Sequence, residues 1–309
     1  MITYYKNTEN GLTVLTEPIN NCWINVVDPT PEEVTRIQGL GVPADYITFP
    51  LDLNERARTE RENGELLVIL RIPFYQGETA DIPYITIPLG IILTDKYVIT
   101  VCKRDNEILQ GLTSTRIRNL VTAKRLRFVL QIFFNTAKKY LAYLQAIDKS
   151  VDTLEDELQL SSRNKELLAL LKYQKSLTFF TTALKSNELL MERLQRSQLF
   201  RTYPEDEDLL EDVLTENQQA IEMTNISTNI LSSMMDAFAS IISNNLNVVM
   251  KLLTSITIVI SIPTMITSFF GMNVHLPFEA LPFASGIILL ISLGFSTSVA
   301  YFFWKRDWF

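Results

Sequence analysis

Residues 247–273 read NVVMKLLTSITIVISIPTMITSFFGMN, and the organisation of the whole chain can be worked out from them. Residues 252–270 carry no charge over about 19 positions, roughly the length that crosses the hydrocarbon core of a bilayer. The composition predicts a membrane helix. Its mostly polar line of Asn247, Met250, Thr254, Thr257, Ser261, Thr264, Ser268 and Gly271 recurs at alternating steps of three and four, the seam that stays aligned when like helices pack side by side. Among the hydroxyl residues of the span only Ser255 and Thr267 fall off that line. Two explanations compete. Small polar side chains in membranes bond back to their own helix or join neighbouring helices, whereas a continuous polar stripe facing water lines a pore. One further run, residues 284–304, is long enough to span. Two helices cannot enclose water, so a pore requires several copies of the chain.

At 309 residues the chain has room for one sizeable soluble domain beside such a hairpin. Its start, MITYYKNTENGLTVL, lacks a basic segment followed by an apolar core, so the soluble part is expected in the cytoplasm. The net charge of -7 belongs to that part, because beyond Lys251 the bases Lys305 and Arg306 balance the acids Glu279 and Asp307. This argues against nucleic acid as a partner and suits cations. Cys22 and Cys102 belong to no CxxC or Cys/His array and are expected as reduced, buried thiols. Without a GxxxxGK[ST] loop, an HExxH helix or a GxSxG elbow, the chain does not read as an enzyme or an ATP-driven pump.

Residues 1–112 mix strands and short helices. Segments 2–5, 12–15 and 23–27 and the runs ELLVILRIPFY, PYITIPLGIIL and KYVITVC read as strands. Asp28-Pro-Thr-Pro followed by EEVTRIQGL reads as a helix start, with Pro and acids in the first turn. After residue 113 the texture changes to helices over 128–160 and 164–195, then a single one over about 205–270 that contains no interruption before the membrane. At 1.5 Å per residue it would be close to 100 Å long, with nearly two thirds outside the bilayer.

Gly271, Met272 and Asn273, at the end of the first of two C-terminal membrane helices, resemble the GMN signature of the CorA-type magnesium transporters. The stretch NVVMKLLT over 247–254 and the basic tail Lys305 and Arg306 are similar to that family as well. The resemblance implies an α+β membrane protein with an N-terminal cytoplasmic α/β domain, a long stalk helix running into the first transmembrane helix, and a funnel-shaped homopentamer. It divides the chain into an α/β domain at 1–115, a helical region with the stalk at 116–246, and a transmembrane hairpin at 247–309 with helices at about 247–270 and 283–304. Lys251, Lys305 and Arg306 independently put both hairpin ends on the cytoplasmic side of a cell membrane. The implied cargo is hydrated Mg2+, with Co2+ and Ni2+ as passengers and no organic cofactor. The implied partners are further copies of the chain, the lipid bilayer and divalent metal ions. A zinc-carrying branch of the same family, which also keeps GMN, is one alternative, and a membrane-anchored scaffold that conducts nothing is another.

The resemblance assigns Gly271, Met272 and Asn273 to the selectivity entrance. An uncharged amide ring there hydrogen-bonds the hydrated ion without stripping its water, although Asn after a Gly is also an ordinary helix cap. Asn247 would form a second ring at the cytoplasmic end, or be a plain surface amide. Met250 and Leu253 match the family's apolar constriction, and Thr254, Thr257, Ser261, Thr264 and Ser268 line the path. The sequence departs from the family at Ser261, where a large apolar residue is common, and at Pro263, one residue off the expected proline, so a shorter gate is expected. Asp212 falls where the family binds regulatory Mg2+ between subunits; Asp236 is a second candidate, and Glu55, Glu60 and Glu62 are candidate partners. Most of residues 205–211, and residues 152–157, read as solvated acidic faces. Glu279 is the only charge of the outer loop, His275 the only histidine, and Tyr301, Trp304 and Trp308 an interfacial belt.

Overall fold

The structure, a computed structural model, describes residues 1–8, 11–62, 64–113, 121–160, 164–197, 204–272 and 283–308. The chain forms two compact units, Met1–Ser233 and Met234–Phe309.

The first unit is built on a seven-stranded sheet ordered β2-β1-β3-β7-β6-β5-β4. The strands are β1 (Ile2–Thr8), β2 (Gly11–Leu15), β3 (Cys22–Val27), β4 (Arg58–Glu62), β5 (Glu65–Tyr75), β6 (Tyr84–Leu93) and β7 (Tyr97–Cys102). All neighbours are antiparallel except β3 and β7, which run parallel. The strand pattern expected from the apolar runs is present, and β4 is additional. Its sequence RTERE carries no apolar signal because it is an edge strand, where charge on the open side prevents pairing with another chain.

Both faces of the sheet are covered, which is why β5 to β7 are apolar at nearly every position instead of alternating. On one face Ile24, Leu67, Ile69, Ile92 and Ile99 pack against α1 (Pro31–Gln38) and α2 (Ala44–Thr48) through Ile37, Tyr46 and Ile47. α1 starts with a capping box, Thr30 and Glu33 each bonding the other's backbone N–H. On the other face Trp23, Val68, Leu70 and Ile91 pack against α3 (Glu107–Thr113), α4 (Arg125–Leu160) and α5 (Asn164–Arg196). The long α6 (Pro204–Phe270) joins this core through Leu210 and Val213. Trp23, fully buried, stacks on Tyr5 at 4.8 Å and donates its indole N–H to Thr100 Oγ1 at 2.8 Å.

Prolines inside strands follow the same logic. Arg71 of β5 lies opposite Pro88 of β6, beyond the end of β4. Its N–H donates to Asn187 Oδ1 at 2.9 Å and its carbonyl accepts from Asn187 Nδ2 at 2.7 Å, so an amide from α5 continues the ladder where β4 has stopped. Arg71 therefore asks nothing of Pro88, whose missing N–H costs no ladder bond.

Gly90 of β6 faces Pro50, in a short 3-10 turn over Phe49–Leu51. A Cβ at Gly90 would stand 2.9 Å from Pro50 Cβ and nearer still to its ring. Gly90→Ala is therefore expected to lose about 1–3 kcal/mol of stability by overpacking, measured as a lower urea midpoint at unchanged slope.

The acids at 205–211 are not all solvated. Asp206 is buried and accepts from Arg127 Nε of α4 at 2.6 Å, while Glu205 meets the same guanidinium at 2.7 Å. That contact holds the Glu205 carboxyl below its usual range, and it fastens the first turn of α6 to the first turn of α4. Asp152 and Glu157 do lie on α4 among mostly exposed residues, as a solvated face requires.

The second unit contains the C-terminal part of α6 and α7 (Ala284–Lys305). Both helices are long and apolar enough to cross a membrane. Cys22 and Cys102 are free and buried, and burial pushes the Cys102 thiol up to about 11.

Candidate functional site

Within the second unit, α7 settles which side of α6 is which. Ser255 is fully buried, and Val259, Ile262, Ile266 and Phe270 are partly covered, at the three-and-four spacing of one helix face. At about 100° per residue, that covered stripe and the Thr254–Thr257–Ser261–Thr264–Ser268 seam lie on roughly opposite sides of the helix. Every seam residue, from Asn247 and Met250 through Leu253 and on to Gly271, is exposed. The seam is thus free of the contact that a hairpin must make, and on α6 it is the off-line Ser255 whose hydroxyl reaches the hairpin partner.

Two hydroxyls tie the hairpin together. Ser255 Oγ bonds the Lys251 carbonyl of its own helix and lies 3.4 Å from the Trp308 carbonyl. This brings the chain end beside Lys251, and the Trp308 ring stacks on Phe303 at 5.0 Å. The second tie answers Pro263. A proline inside a helix has no N–H for the carbonyl four residues earlier, here that of Val259. Ser296 of α7, itself nearly buried, donates to that carbonyl at 2.7 Å. In hydrocarbon no water could satisfy the orphaned oxygen, so the neighbouring helix must. Ser296→Ala is expected to destabilise the hairpin by about 1–2 kcal/mol, seen as a lower melting temperature in detergent, whereas Ser298→Ala should change little. The pairing of Pro263 with Ser296 was not anticipated; the proline signals an orphan acceptor in the sequence, but nothing local says which residue will meet it.

Three of the seam hydroxyls bond back along their own helix. Thr257 donates to the Leu253 carbonyl at 2.7 Å, Ser261 to Thr257 at 2.7 Å and Thr264 to Ile260 at 3.1 Å. This is the membrane habit of Ser and Thr, and it has a chemical consequence. With the proton turned inward, each oxygen presents lone pairs outward, so the seam is a line of acceptors. A hydrated Mg2+ offers only water protons to its surroundings, and acceptors are what it can use.

At the far end, Gly271 N–H still bonds the Thr267 carbonyl at 2.9 Å and Met272 is exposed. Asn273, His275 and Glu279 lie outside the described residues. Asp212 is exposed on α6 of the first unit, and Asp236 is exposed in the second. Glu55 and Glu60 both face Arg58, at 3.7 and 3.6 Å, so each already has a cation for company. Glu62 is exposed. Among the described residues no three acidic, histidine or cysteine side chains converge as a metal site within one chain. Tyr301 and Trp304 are exposed near the end of α7, at the level of Lys305 and Arg306.

A sequence model of the family described as CorA-like Mg2+ transporter protein matches residues 20–306. This chain belongs to that family. Among CorA relatives, the cobalt/magnesium transport protein CorA of Methanocaldococcus jannaschii is 26% identical over 292 residues, covering 93% of this chain and 90% of that protein. The cobalt/magnesium transport protein CorA of Thermotoga maritima is 22% identical over 308 residues, covering 93% and 83%. The complete structure of the CorA magnesium transporter from Methanocaldococcus jannaschii matches the fold with a TM-score of 0.85, over 100% of this chain and 99% of that one, at 22% identity. The CorA-like architecture thus runs through both units: an N-terminal soluble domain, one long helix and two membrane-length helices.

Proposed function

We propose that this CorA-like chain is a channel-like transporter that carries hydrated Mg2+ across a cell membrane, down its electrochemical gradient, through a pore lined by copies of the α6 seam. The observation that carries the reading is the exposure of an acceptor-lined seam on the side of α6 opposite its hairpin partner. Five copies, as the family resemblance implies, would bring Asn247, Met250, Leu253, Thr254, Thr257, Ser261, Thr264 and Ser268 around a common axis. Gly271, Met272 and Asn273 would form the outer entrance, and Glu279 would stand near the mouth. Ser261 places an oxygen where the family commonly has a bulky apolar group, so the dewetted gate would be confined to Met250 and Leu253. Both termini would face the cytoplasm, with Lys251, Lys305 and Arg306 at the inner surface. An inside-negative potential then drives entry by about 2.3 kcal/mol per charge per 100 mV, twice that for a divalent ion.

Regulation follows from acids that repel until a divalent ion bridges them. Asp212 and Asp236 would meet acids of neighbouring copies; Glu62 is the best-suited partner of the three candidates, since Glu55 and Glu60 already face Arg58. Co2+ and Ni2+ would pass because a site that reads the hydrate discriminates weakly between ions of similar hydration.

Flux into liposomes of Mg2+ against Zn2+, with and without Mg2+ on the cytoplasmic face, tests the reading. Saturable Mg2+ entry slowed by internal Mg2+ is expected. Zn2+ entry in preference to Mg2+ would move the chain to the zinc-carrying branch, and no cation entry at all would leave a membrane-anchored scaffold.

A further inference from the structure

The first unit contains a groove of about 1030 Å3 between α5 and the strands β5 and β6, a size at the upper end for small-molecule sites. None of its lining residues belongs to the α6 seam. One wall is α5, which presents Phe179 and Leu189, 40% and 58% exposed, where solvent would otherwise meet bare apolar surface. Four cationic residues line the same groove: Arg56, Arg71, Lys175 and Lys185. The one carboxylate among its lining residues, Glu55, is already turned toward Arg58 at 3.7 Å and bonds the Arg56 backbone N–H at 3.2 Å.

Among the described residues no carboxylate is in direct contact with any of the four cations. Arg71 is the informative one, because its guanidinium is half-buried and bonds only neutral oxygens: the Leu53 carbonyl at 2.7 Å, the Glu55 carbonyl at 2.9 Å, the Thr86 carbonyl at 2.5 Å and Thr86 Oγ1 at 2.9 Å. Burial lowers its pKa accordingly. A charge held out of water is ordinarily matched by an opposite one in contact, and here Asp52 and Glu55 act on the guanidinium only from beyond salt-bridge distance. The donors of Arg71 are already engaged, so its contribution is a positive field; Arg56, Lys175 and Lys185 supply the free N–H groups.

We infer that this groove binds a nucleoside di- or triphosphate, its phosphates against the cations and its planar base against Phe179. The spacing suits such a ligand. Phe179 lies one turn from Lys175, and Lys185 lies about 15 Å beyond Lys175 along the helix at 1.5 Å per residue. Phe179 lies between the two lysines, so a base on its ring leaves the polyphosphate tail to run to one of them while the other adds a positive field, a reach that a lone phosphate lacks. An aromatic face beside cations also suits a base, since stacking tolerates any planar ring.

The test is calorimetric titration of ATP into the purified full-length protein in detergent with EDTA present, so that no metal site of the transport path contributes heat. Saturable binding is expected, weakened at least about tenfold by Lys175→Glu and by Lys185→Glu, and several-fold by Phe179→Ala, with the oligomer unchanged on size exclusion. Inorganic phosphate and adenosine alone should each bind far more weakly than ATP. The inference is overturned by absence of saturation at concentrations on the order of millimolar, by affinity unchanged in the charge reversals, or by inorganic phosphate binding as well as ATP. It is overturned equally if the reversals break the oligomer, since the groove then belongs to a neighbouring copy. Binding is read without flux, so a chain that conducts but ignores ATP, or binds ATP but conducts nothing, separates this inference from the transport reading.

Discussion

Thr257→Val is expected to cut Mg2+ flux roughly 10- to 100-fold while leaving expression and assembly intact. The substitution keeps the shape of the side chain and removes one oxygen acceptor, and in the proposed pore it does so in every copy. A hydrogen bond contributes on the order of 1 kcal/mol, so a ring of several lost acceptors raises the barrier by a few kcal/mol, and each 1.4 kcal/mol is tenfold. The same change at Thr267 is the control. Thr267 lies off the seam and bonds the Pro263 carbonyl at 2.8 Å, so Thr267→Val should alter flux by less than about twofold. Both variants would be compared in liposomes under an imposed Mg2+ gradient. Equal effects at 257 and 267 would mean that the seam is not the conducting face.

Asn187→Leu is expected to destabilise the soluble unit by about 2–4 kcal/mol. Leucine fills nearly the same volume, yet it leaves the Arg71 N–H without a partner and the Arg71 carbonyl with one fewer. An unsatisfied buried backbone group costs about 1–3 kcal/mol. The carbonyl retains the Tyr140 hydroxyl at 3.0 Å; that phenol is fully buried, which pushes its pKa up and keeps its proton in place to donate. Thermal denaturation should show a Tm lowered by about 5–10 °C. No change would mean that the Arg71 backbone finds water once the amide is gone, and that the ladder extension is incidental.

Several elements are legible in the amino-acid order alone. The run ELLVILRIPFY is β5 from end to end, because β-branched and apolar residues without interruption suit a strand covered on both faces. The continuous helix into the membrane follows from a long stretch without breakers, and α6 begins at Pro204, a residue whose fixed φ favours a first helical turn. β4 escaped notice because charged edge strands carry no hydrophobic pattern. The parallel pairing of β3 with β7 escaped too, since strand order depends on how distant segments meet and no local pattern encodes it.

The candidate site divides the same way. That Thr254, Thr257, Ser261, Thr264 and Ser268 share one line is a property of spacing alone, as is the charge-free length that suits a bilayer. Hydropathy and periodicity are sums over neighbours in the chain, so the amino-acid order is enough to set them. Which side of that helix α7 would cover, and that Ser296 would take the carbonyl freed by Pro263, depend on side chains some thirty or more positions apart meeting in space. Such meetings are fixed by packing two surfaces against each other, and only the folded hairpin reveals that the seam is the face left open.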